Sequence, residues 1–238
     1  MKAIYKKFDA SEMTLFVFAD THIGTTGANI KKLKRHIQQC KDEGASWLHL
    51  GDWCDALTPM DRRYDIRHPT LDISTAYHKV YELFEPIKDK GLAILEGNHD
   101  YVIARAFGDQ VLRLGSLLKV PYLGYSGFVK LKLQKFSRTI FLHHGAGGGR
   151  KRGAKAIRLK EWMEQREAEL YLQGHTHAYM QFTEPRVVMG KKYTKYFANA
   201  PGYLENGGYV ERLGLGDVDT GCLRIVITKE NIKIEPIL

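Results

Sequence analysis

A chain of 238 residues with 44% hydrophobic and 26% charged residues has an ordinary globular composition, which excludes the disordered, collagen-like and disulfide-stapled classes. No stretch approaches the ~18–20 apolar residues of a membrane-spanning helix, and the opening MKAIYKKFDASEM lacks the apolar core of a secretion signal. The net charge of +9 admits a polyanionic partner such as nucleic acid, and equally a soluble enzyme with a basic surface.

The length fits one domain spanning 1–238, able to bury about 70% of the surface of its unfolded form. Cys40, Cys54 and Cys222 are odd in number and scattered, so they suggest no disulfide framework and point to a reducing cytoplasm.

The first strong strand is the apolar run 13–19, which ends in the polar loop Asp20-Thr21-His22-Ile23-Gly24. Such a run is typical of a strand buried on both faces. A helix is predicted over about 28–43, with Ile30, Leu33 and Ile37 at helical spacing and Gly44 as its C-cap. A second strand, 47–50, runs into Gly51-Asp52. Residues 55–68 form a polar loop insertion, and a helix follows over about 70–88. A third strand, 92–95, runs into Glu96-Gly97-Asn98-His99-Asp100. Strand–helix units in series predict βαβ units and a mainly parallel sheet.

In the second half, 128–133 and 139–142 are predicted strands, the latter ending in His143-His144 and a Gly-rich basic loop. A helix over about 154–168 and a short strand over 170–172 follow, ending in Gly174-His175-Thr176-His177. Hairpin patterns over 186–197 and 223–234 predict an antiparallel tail. Two α/β halves packed sheet on sheet make a four-layer αββα sandwich of mixed sheets.

In open α/β sheets, ligands gather beyond the carboxyl ends of the strands. Five strands here end in oxygen and nitrogen donors: Asp20 and His22; Asp52; Asn98, His99 and Asp100; His143 and His144; His175 and His177. Carboxylate, amide oxygen and imidazole together suit a borderline divalent ion such as Mn, Fe, Co, Ni or Zn. They are too nitrogen-rich to favour Ca or Mg. His49, inside a strand, reads as a core histidine, and Cys54 as a small buried residue.

The motifs Asp20-Thr21-His22, Gly51-Asp52-Trp53-Cys54-Asp55, Gly97-Asn98-His99-Asp100, His143 at a strand end and Gly174-His175-Thr176-His177 resemble, in order, those of the calcineurin-like metallophosphoesterases. The loop Asn199-Ala200-Pro201-Gly202 resembles one that commonly follows the last motif. The resemblance implies a phosphoesterase with two divalent ions, Mn2+ foremost. Asp20, His22, Asp52 and His177 would hold one ion, and Asp52, Asn98, His143 and His175 the other. It implies a hydroxide between the ions as attacking group, His99 as acid or transition-state partner, and Asp100 orienting the His99 ring. Asp55 would support the loop or stand behind the ligands rather than bind an ion. His143 and His144 are adjacent and point opposite ways in an extended segment. The family pattern takes His143 as the ligand and leaves His144 to a supporting, substrate-facing or structural role.

The motifs do not define the ester. Residues 145–160 contain six basic residues and no acidic one, and a Gly-rich backbone lets phosphates approach closely. Arg150, Lys151 and Arg152, with His144, are the candidate substrate contacts; Arg62, Arg63, Arg67, Lys191, Lys192 and Lys195 add positive charge. The expectation is a phosphodiesterase or nuclease acting on DNA or RNA. A small-substrate phosphatase or nucleotide phosphodiesterase is the alternative, and a non-catalytic scaffold on the same fold is a third reading. Lipid-precursor hydrolases resemble Gly-Asn-Arg-Asp at the third motif, where this chain has His99.

Overall fold

The computed structural model describes residues 1–55, 70–147, 152–205 and 219–238. In chain order the strands are β1 (Lys2–Lys7), β2 (Met13–Phe18), β3 (Ser46–His49), β4 (Gly91–Ile94), β5 (Ser126–Lys132), β6 (Ser137–His143), β7 (Leu170–Gln173), β8 (Met180–Val188), β9 (Lys191–Asn199), β10 (Cys222–Ile227) and β11 (Ile232–Ile237). The helices are α1 (Ile30–Asp42), α2 (Ile73–Phe84), α3 (Asn98–Phe107), α4 (Gln110–Leu118) and α5 (Arg152–Gln165), with a 3-10 turn at Glu85–Lys90 after α2.

The strands form two sheets, ordered β11-β10-β2-β3-β4 and β1-β5-β6-β7-β9-β8. Period-two alternation sends each strand's side chains to opposite faces. Leu15 and Val17 of β2 meet Val129, Ile140, Leu142, Leu170 and Leu172 between the sheets. Phe16 and Phe18, from the other face of β2, pack with Leu33, Val80, Phe84 and Leu114 of the helices. On the far side, Phe141, Tyr171 and Phe197 pack with Leu159 of α5. Three apolar layers separate four layers of structure, the αββα sandwich expected. Among the described residues no helix is long and apolar enough to cross a membrane.

Three features differ from the sequence expectation. Polar β1 pairs in parallel with β5, from Lys2 opposite Gly127 to Lys7 opposite Lys132; it is an exposed edge strand rich in lysine, which carries no apolar run. The tail is only partly antiparallel, because β9 runs parallel to β7, while β10 crosses back to lie antiparallel beside β2. Residues 98–118 form two helices, so Asn98, His99 and Asp100 occupy the first turn of α3.

Candidate metal centre

Parallel pairing of β2, β3 and β4, and of β6 with β7, brings their carboxyl ends to one edge of the sandwich. There the chain turns sharply. Asp20, His22, Asp52, His175 and His177 all have φ between +43° and +70° and are five of the seven non-glycine positive-φ residues among those described. Such backbone costs on the order of 1 kcal/mol or more per residue and persists only where the surroundings over-determine it. Here the loops lock one another: Asp20 N–H donates to Gly51 O (2.9 Å), His22 N–H to Asp52 O (3.2 Å), and Tyr203 N–H to Asp20 O (2.9 Å). A Cβ at Gly97 would collide with the Asp52 carboxylate, and one at Gly202 would come within 2.7 Å of His177 Nδ1.

The donors fall into two groups, each with its atoms within 4.8 Å of one another: Asp20, His22 and His177, and Asp52, His144 and His175. In the first, His22 Nε2 lies 3.2 Å from His177 Nε2, and His177 Nε2 is 3.7 Å from Asp20 Oδ1. The Asp20 carboxylate also accepts the His175 backbone N–H at 2.9 and 3.1 Å. In the second, His144 Nε2 is 3.4 Å from Asp52 Oδ2. Asn98 Oδ1 is 3.0 Å from His144 Nε2 and 2.8 Å from His175 Nδ1.

The structure brings His144, not His143, into this group. Along β6, Phe141 lies in the layer beneath α5, whereas Ile140 and Leu142 lie between the sheets. His143 continues the first side, its ring 6.3 Å from that of Phe141, and its Nδ1 accepts the Gly145 N–H at 2.8 Å. His144 continues the second side and reaches the centre. Its Nδ1–H donates to Leu50 O at 2.8 Å, which turns Nε2 toward Asp52 and Asn98, an arrangement that a metal-binding histidine would use.

Asp100 also departs from its expected place. It accepts from Gly97 N–H (2.9 Å), Trp53 N–H (3.2 Å) and Tyr77 Oη–H (2.8 Å). Neighbouring residues on a helix do not face each other, so Asp100 fastens the start of α3 to α2 and the β3 loop. The carboxylate at His99 Nδ1 is Asp55. Asp55 Oδ2 lies 3.2 Å from His22 Nδ1 as well, so one buried carboxylate orients both rings. The group His22, Asp55 and His99 therefore reads as a carboxylate receiving two imidazole N–H groups. The Gly-Asp-x-x-Asp spacing carried the signal for Asp55. His99 N–H donates to Asp52 Oδ1 at 2.9 Å, and its side chain remains 17% exposed.

His49 is the core histidine expected. Its Nδ1 accepts the Gly51 N–H at 3.1 Å and its ring stacks on Trp53 with centroids 3.4 Å apart. Of the basic substrate contacts expected, Arg150 and Lys151 lie outside the described residues, as do Arg62, Arg63 and Arg67. Arg152 opens α5, and its side chain is outside the description too.

The electrostatics follow from burying four carboxylates beside the imidazoles. Burial raises Asp20 to about 6 and, with the Asp52 charge, Asp100 to about 7. Burial opposes ionisation of Asp52, but His144 and His99 hold it well below the carboxylate range. Asp55 is likewise held low against burial by His99 and His22. Burial would lower His22 and His144, yet Asp55 lifts the first and Asp52 the second, each to about 9. Burial lowers His175 to about 4 and His177 well below the ordinary value.

This donor set fits divalent ions. Two Nε2 atoms facing each other at 3.2 Å can share at most one proton, whereas a cation satisfies both lone pairs. His177 Nδ1 is buried without a hydrogen-bond partner, so no second interaction competes for that ring. Carboxylate, imidazole and amide oxygen without thiolate match a borderline divalent ion.

A family model described as calcineurin-like phosphoesterase matches residues 13–179. Among solved structures, a single mutant of Vps29 from Entamoeba histolytica is similar over 94% of this chain and 98% of its own, at 14% identity and TM-score 0.50. GAP50, described as the anchor in the inner membrane complex of Plasmodium, is similar over 96% of this chain and 85% of its own, at 12% identity and TM-score 0.50. A conserved protein of Streptococcus pneumoniae described as a predicted phosphoesterase is similar over 96% and 90%, at 14% identity and TM-score 0.46. No curated protein matches in sequence. At these identities the likenesses to solved structures speak to the fold alone.

Proposed function

We propose that this chain, which belongs to the calcineurin-like phosphoesterase family, hydrolyses phosphate esters with two divalent ions held at the candidate centre. Asp20, His22 and His177 would hold one ion and Asn98, His144 and His175 the other, with Asp52 a ligand available to both. When bound, such a pair of ions acidifies a water and offsets the charge of the phosphate.

The remaining roles belong to the chain. His99 stands at the rim with Nδ1 held by Asp55, which leaves Nε2 to deliver a proton to the departing oxygen or hydrogen-bond to the phosphate. Asp52 accepts the His99 backbone N–H and so couples the placement of α3 to that of the ligands. The single observation that carries the hydrolytic reading is the His99–Asp55 pair beside the two donor groups. A scaffold that only binds partners has no use for a partly exposed imidazole oriented by a buried carboxylate. The assay is turnover of bis-p-nitrophenyl phosphate with Mn2+. His99→Ala is expected to lower kcat by about 10²- to 10⁴-fold; no turnover with any divalent ion would leave the scaffold reading standing.

The finer reading is a phosphodiester of nucleic acid as substrate. It is supported by the net charge of +9 and by the six basic residues of 145–160, which follow His144 directly. Three free, buried cysteines fit a cytoplasmic setting. A panel of a mononucleotide, a cyclic nucleotide, single-stranded DNA and a phosphopeptide, assayed at two salt concentrations, tests the substrate. A polyanion gives steep salt dependence, and preference for a small ester points to the phosphatase reading.

A further inference from the structure

Residues 121–125 cross from one sheet to the other at the edge that carries the donors. The segment first runs beside β4: Ile94 N–H donates to Pro121 O (2.9 Å), Leu123 N–H to Ile94 O (3.0 Å) and Glu96 N–H to Gly124 O (3.1 Å). It then enters β5, where Ser126 pairs with His143 and His144 N–H donates to Tyr125 O at 3.1 Å. Tyr125 is thus pinned between the strand end that leads to Asn98 and the strand end that carries His144. Alternation sets its side. On β5, Val129 lies opposite Ile140 and Gly127 opposite Leu142, with Val129, Ile140 and Leu142 all between the sheets. Tyr125, two residues further, shares the side of His144.

The ring is held by its neighbours. It meets His144 edge-to-face with centroids 5.3 Å apart, and its centroid lies 5.6 Å from that of His143. The hydroxyl has no such task. Tyr125 is partly exposed, and among the described residues its Oη has no hydrogen-bond partner. Nor is Oη one of the buried polar atoms left unsatisfied, so it opens to water at the rim. A packed tyrosine ordinarily finds a partner for its O–H. Burial raises this phenol above its ordinary value, and the charges of Asp52 and Asp20 add to the rise, so the phenol lies within reach of carboxylates from both donor groups. His99 and Tyr125 therefore flank the centre at different places. His99 stands beside His22, with ring centroids 4.6 Å apart, and Tyr125 beside His144.

We infer that Tyr125 is a substrate-contacting residue, whose Oη–H donates to a non-bridging phosphate oxygen of the bound ester on the His144 side of the centre. His99 serves the departing oxygen from the His22 side. A phenol with a value near ~10 is a donor at neutral pH, and a ring already fixed by two imidazoles and a pinned backbone loses little freedom on binding. The inference rests on the hydrolytic reading of the centre and adds to it a donor from outside the metal-binding motifs.

The test compares the full chain with Tyr125→Phe, which removes the hydroxyl and keeps the ring against His144. Calorimetry with inorganic phosphate on the Mn2+-loaded chains reads binding directly, and kcat/KM for bis-p-nitrophenyl phosphate reads the ester. Elemental analysis and thermal unfolding report ion content and fold. Loss of a hydrogen bond to a charged group corresponds to about 10- to 100-fold. Tyr125→Phe is expected to weaken phosphate binding and lower kcat/KM by about that factor, with the ion content and unfolding temperature of the parent. Parent-like phosphate affinity and kcat/KM in the variant, in a chain that turns over the ester, overturn the contact alone, as does a loss that follows from fewer bound ions. Weakened phosphate binding in the variant, without turnover by the parent under any divalent ion, sustains the contact and overturns the hydrolytic reading. A parent chain that neither binds phosphate nor turns over the ester overturns both.

Discussion

Two adjacent histidines at the end of β6 have opposite fates, and the difference is measurable. His144 places Nε2 beside Asp52 and Asn98, while His143 packs toward Phe141. His144→Ala is therefore expected to lose about one bound ion per chain, and His143→Ala to keep both, by elemental analysis after dialysis. The two aspartates near His99 divide in the same way. Asp55→Asn leaves the His99 ring without its carboxylate and is expected to lower kcat by about 10²-fold or more with little change in thermal stability. Asp100→Asn disturbs a buried carboxylate with three donors. It is expected to cost about 1–3 kcal/mol of stability, while the folded fraction retains most of its kcat.

At the scale of elements, the terminal hairpin decides whether the sandwich closes. β10 lies between β11 and β2, and Leu223 and Ile225 fill the layer between the sheets. Removing 222–238 would strip β2 of an edge partner and open that apolar layer to water. The expected outcome is an aggregating chain without a cooperative thermal transition, read by circular dichroism; a soluble, cooperatively folding remnant would contradict it. Helix α3 shows how an element places chemistry. Its first turn presents Asn98 and His99 toward the strand ends, and Gly97 lets that turn approach the Asp52 carboxylate. The apolar runs of β2, β3, β4 and β7 are legible because buried strands need consecutive apolar residues. Lysine-rich β1 and the short helices α3 and α4 are not, because an edge strand and a ten-residue helix carry little periodic signal.

Across the whole centre, proton and metal compete for the same nitrogens. The surrounding carboxylates hold His22 and His144 at about 9. Ions binding to these two rings, one to each, must displace their protons below that pH. Apparent metal affinity should thus rise as pH increases from about 7 to 9 and level off above, where both rings are already neutral. Calorimetry in buffers of different ionisation enthalpy should find about two protons released per chain near pH 7.5 and almost none above pH 10; a pH-independent affinity would contradict the assignment of these two rings. By itself the sequence determined the layer order, the donor types and the strand ends that carry them, because apolar runs and polar loop motifs are local patterns along the chain. Only the tertiary structure decided that His144 rather than His143 faces the centre, that Asp55 rather than Asp100 orients His99, and that the first and last strands exchange sheets. Those outcomes depend on which face of a strand or helix meets which neighbour, and that is set by packing between segments far apart in the chain.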